Sequence, residues 1–161
     1  MDKTLSLLQF HKATADDIAL MAELSLAACK KKIYDRHDYP FDEAAQDEYL
    51  AERRERIQDD FLDEDFNAFI VRNKKKSDQA CGVVSVFLPD DRGVGYIQDL
   101  YAVDGGMTGV ASLKHAKDFL IKHGANSVQL QSNHDAVPFY ERNGFRNVSA
   151  DPYTYLMECR L

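Results

Sequence analysis

Between Phe66 and Val103 the chain carries three β-prone runs, FNAFIVRN (66–73), ACGVVSVFL (80–88) and VGYIQDLYAV (94–103). Only KKKSDQ and PDDRG separate them. Links this short reverse the chain without room for a crossover, so neighbouring runs are expected to pair as antiparallel hairpins. The next segment behaves differently. Val110, Leu113, Ala116 and Leu120 recur at helical spacing until Gly124 stops the run, and SVQLQS (127–132) follows as another strand. A strand, a helix and a strand in succession imply a crossover connection. Hairpins first and crossovers later predict a mixed, mostly antiparallel central sheet with helices on both faces, an α/β fold.

The flanks extend that order. LSLLQFHKAT opens with a strand-like run and ends at Thr14, three residues before Asp17, a capping pair for the helix behind it. Leu20, Met21, Leu24, Ala27 and Ala28 make one apolar face of that helix, and KKKIYDRHDYPF then breaks the pattern, with Pro40 as punctuation. DEAAQDEYLAERRERIQDDF reads as a second, highly charged helix with a thin stripe of Ala45, Tyr49, Ile57 and Phe61. Near the C-terminus a short helix in HDAVPFYERN ends at Gly144, the segment after Phe145 admits a short strand, and YTYLMECRL is a last strand. The order is β-α-α-β-β-β-α-β-α-β. No linker interrupts it, and 161 residues are expected to form one domain, 1–161.

Apolar residues make up 45% of the chain and charged ones 29%, the balance of an ordinary globular protein. A net charge of −7 argues against a general nucleic-acid binder, which carries a basic face, and it suits cationic substrates. Cys29, Cys81 and Cys159 are odd in number and far apart, which suits reduced thiols and a cytoplasmic location. The opening MDKTLSLLQFHK has no signal-peptide pattern, and no window approaches a membrane span. Five histidines offer no i, i+4 pair and no Cys-x-x-Cys partner, so no metal site is expected. There is no Gly-x-Ser-x-Gly elbow for a hydrolase, and Lys-Ser/Thr does not follow the last glycine of DGGMTG, so no Walker loop is read.

That glycine stretch, DGGMTGVASLKHAKDFL (104–120), runs straight into a helical pattern. Backbone N–H groups at a helix start are unpaired and favour an anion, so Gly105, Gly106, Met107, Thr108, Gly109 and Val110 are candidates to cradle a phosphate. The alternative is a flexible glycine-rich turn.

The segment NHDAVPFYERNGF (133–145) resembles the late signature of the GNAT superfamily of N-acetyltransferases, through Asn133, Ala136, Phe139, Tyr140, Gly144 and Phe145. The strand end DLYAV resembles the family strand that splays from its neighbour and binds the pantetheine arm, and both chain ends resemble family ends. The resemblance covers nearly the whole chain. It implies acetyl-CoA as co-substrate and the amino group of a small molecule or a protein as acceptor, beside the absence of metal, nucleic acid and membrane partners expected from spacing, charge and hydropathy; a homodimer is compatible with it. The departure lies in the glycines. Family members usually place Arg or Gln three residues before a Gly-x-Gly or Gly-x-Ala turn. Here one register puts Gly106 at that place, and the other, with Gly109 last, puts Asp104 there. A catalytically inactive binding or regulatory module that has lost the coenzyme is therefore the rival reading.

Acetyl transfer to an amine needs three things. A backbone donor must polarise the carbonyl, and the resemblance points to Tyr101, Ala102 and Val103 at the splay. The amine must lose its proton, because a lysine-like amine of pKa about 10.4 is overwhelmingly protonated at neutral pH. Asp99, an acidic residue inside an apolar run, is the candidate base, with a structural hydrogen-bond acceptor as the alternative. The leaving sulfur must be protonated, and Tyr140 matches the family's general acid; otherwise it is a packed aromatic beside Phe139. Asn133 matches a coenzyme-contacting residue or caps the short helix. Tyr34, His37 and Tyr39 would face the acceptor, with Asp35 and Asp38 favouring a cation, unless that stretch is only a solvated loop. Glu141 is expected on an exposed helix face.

Overall fold

The computed structural model describes residues 7–36 and 42–161. Strand β1 (Leu8–Lys12) is followed by helices α1 (Ile18–Arg36) and α2 (Glu43–Phe61), then by strands β2 (Phe66–Asn73), β3 (Gln79–Phe87) and β4 (Val94–Ala102). Helix α3 (Gly106–Lys122), strand β5 (Ser127–Ser132), helix α4 (Val137–Arg142) and strands β6 (Arg146–Asn147) and β7 (Tyr155–Arg160) complete the order. Thr14 and Asp17 form the expected reciprocal cap before α1, with the Thr14 N–H donating to the Asp17 carboxylate at 2.9 Å. Asp42 caps α2 by accepting from the Ala45 N–H at 2.8 Å.

Helix α1 runs further than its apolar pattern. The periodicity fades after Ala28, yet the backbone stays helical to Arg36. Lys, Arg, Tyr and Ile are all acceptable in a helix, so a fading apolar pattern does not by itself end one. Tyr34 is thus part of α1 by its backbone, its side chain lying outside the described residues, as do His37 and Tyr39 altogether.

The seven strands form one sheet in the order β1-β2-β3-β4-β5-β7-β6. Every pair is antiparallel except β4–β5, which is parallel because α3 crosses between them. One face of the sheet buries Val84, Val86, Ile97, Val128 and Met157 against Leu113, Ala116 and Leu120 of α3. The other buries Ala68, Ile70 and Val83 against Met21, Ala22 and Leu24 of α1 and Ile57 of α2. Cys29, Cys81 and Cys159 are all free thiols. Among the described residues no helix is long and apolar enough to cross a membrane.

Candidate active site

Strands β4 and β5 pair only from Val94↔Ser127 to Ile97↔Leu130, although β4 continues to Ala102 and β5 to Ser132. The cause of the parting is visible in β4. Ser85 of β3 faces Asp99 while Val86 faces Ile97, so Gln98 is an extra, bulged residue, and a bulge bends its strand. The separated ends open a cleft of about 440 Å³ that reaches from Ile97 and Leu130 to Gly105, Gly106 and Gly109 on one side and to Asn133, Phe139 and Tyr140 on another.

The register decides which backbone donors face this cleft. The Val103 N–H donates to the Cys81 carbonyl at 2.8 Å. Counting back through the antiparallel ladder, Tyr101 and Asp99 also turn their backbone groups to β3, and Leu100 and Ala102 turn theirs away, toward the space β5 has vacated. Of the three residues named from the sequence, Ala102 therefore has the free N–H. Leu100, which alternation alone pairs with it, was not named.

Helix α3 begins at the other end of the cleft. Its N-cap is Gly105, at φ +106°, and no side chain caps the helix, so the N–H groups of Gly106, Met107 and Thr108 carry no capping partner. A Cβ on Gly105 or Gly106 would meet nothing within 4 Å, which leaves open space in front of those donors. Gly109 differs. Its added Cβ would stand 3.4 Å from Phe139 Cζ, so its missing side chain lets α4 approach α3. The Thr108 side chain is buried and hydrogen-bonds the Cys81 thiol, Met107 is 45% exposed, and neither they nor Val103 and Val110 line the cleft. Among the described residues no Lys or Arg lines the cleft at the turn. The Asp104 carboxylate hydrogen-bonds Cys81, whose thiol is pushed up by burial first and by Asp104 second. Lys114 pairs with Asp118 at 2.6 Å along α3.

Tyr140 is 8% exposed, packs edge-on against Phe139 and Phe145, and lines the cleft. Burial, with a smaller contribution from Tyr101, pushes its hydroxyl up to about 12. Asn133 accepts the Ala136 N–H at 2.9 Å, capping the turn before α4, and also borders the cleft. Glu141 is exposed.

Asp99 is 4% exposed and faces α2. Its Oδ1 accepts from Arg56 Nη2 at 2.5 Å and from the Tyr101 hydroxyl at 3.2 Å, and its Oδ2 accepts from Ser85 Oγ at 2.7 Å. Arg56 also donates to Asp60 at 3.0 Å, and Gln98, the bulged residue, donates to Asp60. Burial, then Asp99, pushes the Tyr101 hydroxyl up to about 12. Tyr96 fills the apex of the split: the Gln131 N–H, the first beyond the paired part of β5, donates to its hydroxyl. Gln98 and Gln131 line the cleft and Arg56 reaches it through Asp99, none with a sequence signal of its own; Ala28, read only as part of the apolar face of α1, lines it too.

A model of the Acetyltransferase (GNAT) family matches residues 31–145. The chain belongs to the GNAT acetyltransferase family. No curated protein matches it in sequence. Among solved structures, this GNAT protein is similar to the PaiA N-acetyltransferase of Thermoplasma acidophilum in complex with coenzyme A, at 16% identity and a TM-score of 0.75, over 96% of this chain and 99% of that one. It is similar to an acetyltransferase of Thermus thermophilus at 16% identity and a TM-score of 0.72, over 96% and 97% of the two chains. Tetrahymena GCN5 shares the fold at 13% identity and a TM-score of 0.61, over 94% and 95%. At these identities the likeness establishes the GNAT fold of the seven-stranded mixed sheet and its four helices.

Proposed function

We propose that this GNAT protein moves the acetyl group of acetyl-CoA to the primary amine of a small molecule or a protein. The observation that carries the reading is the end of β4–β5 pairing at Ile97↔Leu130, which opens a cleft leading to an uncapped helix start. The residues fit the coenzyme. Free N–H groups, the helix dipole and the open space before Gly105 and Gly106 suit a pyrophosphate, each anionic contact contributing roughly 0.3–1 kcal/mol. When bound, acetyl-CoA supplies the thioester carbonyl to be attacked.

The chain's own groups take the remaining roles. The N–H groups of Leu100 and Ala102 are the donors for a carbonyl oxygen as it gains charge. Tyr140, with its hydroxyl up at about 12, keeps its proton at neutral pH and donates it, or a strong hydrogen bond, to the departing sulfur. Asp99 has three of its roughly four lone-pair positions taken by Arg56, Tyr101 and Ser85. We assign the remaining one to the acceptor's proton, reached directly or through one water. Asn133 keeps its amide N–H₂ for the coenzyme while its oxygen caps the turn before α4.

One observation favours the rival, a GNAT-fold module without coenzyme: neither Asp104 nor Gly106 offers the side-chain grip that Arg or Gln supplies. Calorimetry with acetyl-CoA, followed by thiol release with a panel of primary amines, separates the two. Heat of binding and amine-dependent release support transfer; silence in both at millimolar acetyl-CoA sinks it and leaves the module.

A further inference from the structure

On the sheet face opposite α3, Arg53 of α2 holds its guanidinium carbon 5.0 Å from the Tyr49 ring centre and 5.8 Å from that of Tyr101. Tyr101 lines the cleft at the splay, and Arg53 lies against its ring, next to the residues that line the cleft. Both rings are fixed. Tyr49 shares a 2.5 Å hydrogen bond with Ser25, and Tyr101 hydrogen-bonds Ser25 and Asp99. Aromatic faces orient a guanidinium while leaving its N–H fork in the ring-parallel plane free to bind.

Arg53 differs from Arg56, one turn further along the helix. Arg56 is committed to Asp60 and Asp99, and those two carboxylates are engaged in turn by Gln98, Ser85 and Tyr101. Among the described residues no carboxylate pairs with Arg53. The net charge of −7 is a property of the whole chain and leaves room for a local cation such as Arg53. The two tyrosine faces that would otherwise cage an ammonium group are already covered by the guanidinium.

We propose that Arg53 is a carboxylate subsite, and that the acceptor is an amino acid or a closely related amine bearing a carboxylate. The proposal rests on the transfer reading above. It identifies the chemistry of the second substrate, with the amine toward the splay and the carboxylate on the guanidinium fork.

The test uses acceptor pairs that differ by one carboxylate, such as lysine with 1,5-diaminopentane and phenylalanine with phenethylamine, within a set of the common α-amino acids. Thiol release gives kcat and KM, and thermal shift with the N-acetylated forms gives binding without turnover. The expected result is a preference for the carboxylated members of about tenfold or more, which Arg53→Gln abolishes through KM with kcat held, and which Arg53→Lys partly restores. Equal or better use of the decarboxylated amines or of peptide N-termini overturns the proposal. So does a preference unchanged in Arg53→Gln, and so does the failure of every amino acid and every N-acetylated form to bind. Acetyl-CoA calorimetry on the same samples keeps the readings apart: lost coenzyme binding counts against transfer, whereas intact coenzyme binding without a carboxylate preference counts against Arg53 alone.

Discussion

Arg56 of α2 and Asp99 of β4 form an ion pair of 2.5 Å across the lower edge of the cleft, with the Asp99 side chain 2% exposed and that of Arg56 31% exposed. The pair fastens α2 to the strand that diverges from β5. Asp99 is deeply covered, and Arg56, Ser85 and Tyr101 satisfy its carboxylate oxygens.

Arg56→Met is expected to destabilise the protein by about 2–3 kcal/mol, below the range for breaking a fully buried pair, because Arg56 is partly solvated. Asp99→Asn in the same background should cost less than it does alone, since the buried charge is then gone. Urea unfolding of the two single variants and the double variant checks this. Additive losses would mean that the pair is not coupled.

The three glycines of the cradle should behave differently. Gly106→Val faces open space and should fold normally while weakening acetyl-CoA binding. Gly109→Val meets Phe139 and should also lose about 1–3 kcal/mol of stability from overpacking. Gly105→Ala forces a side chain onto φ +106° and should cost about 1–3 kcal/mol whatever the ligand does. Melting curves with and without acetyl-CoA separate the cases, and an undiminished ligand shift in Gly106→Val would misplace the cradle.

Tyr140→Phe keeps the ring against Phe139 and Phe145. If the hydroxyl is the acid, kcat should fall roughly 10²-fold with coenzyme affinity unchanged. The raised hydroxyl also affects stability. A group pushed up to about 12 in the folded state, against about 10 unfolded, stabilises fully below pH 10 and loses that contribution as pH rises from about 10 through 12. Tyr140→Phe should therefore show a shallower loss of stability above pH 10. Unchanged turnover in the folded variant would return Tyr140 to the core.

His115 of α3 stacks on Phe10 at 4.2 Å between ring centres and meets Phe69 edge-on, with Nε2 buried and without a partner among the described residues. Burial holds its imidazole below the usual range. The unfolded chain then binds a proton before the folded one, so stability is full above the unfolded value of about 6.5 and falls as pH drops below it. His115→Phe keeps the stacking and should flatten the stability curve between pH 7 and 5. An equally steep decline in the variant would show that other groups carry it.

Much of the fold was legible because it depends on local rules. Short links force β2, β3 and β4 into hairpins, Gly124 ends α3, and Thr14 with Asp17 starts the first helical turn; each acts within a few residues. The glycine turn and Tyr140 were legible as types of residue at fixed spacing. The length of α1 was not, because apolar periodicity follows side-chain character and does not set where the backbone stops being helical.

What the sequence by itself determined, then, is the order of elements, the sheet they must build and the glycine turn that starts α3. Only the tertiary structure decided which groups are free to act there. The bulge at Gln98 ends strand pairing after Ile97, and the alternation of the ladder then leaves Leu100 and Ala102, not Tyr101 and Val103, with open N–H groups. Packing of α2 on the sheet gives Asp99 the Arg56 guanidinium and leaves Arg53 against Tyr101. Such pairs join residues far apart in the chain, where no local spacing carries a signal and only the closing of the sheet brings the groups within reach of one another.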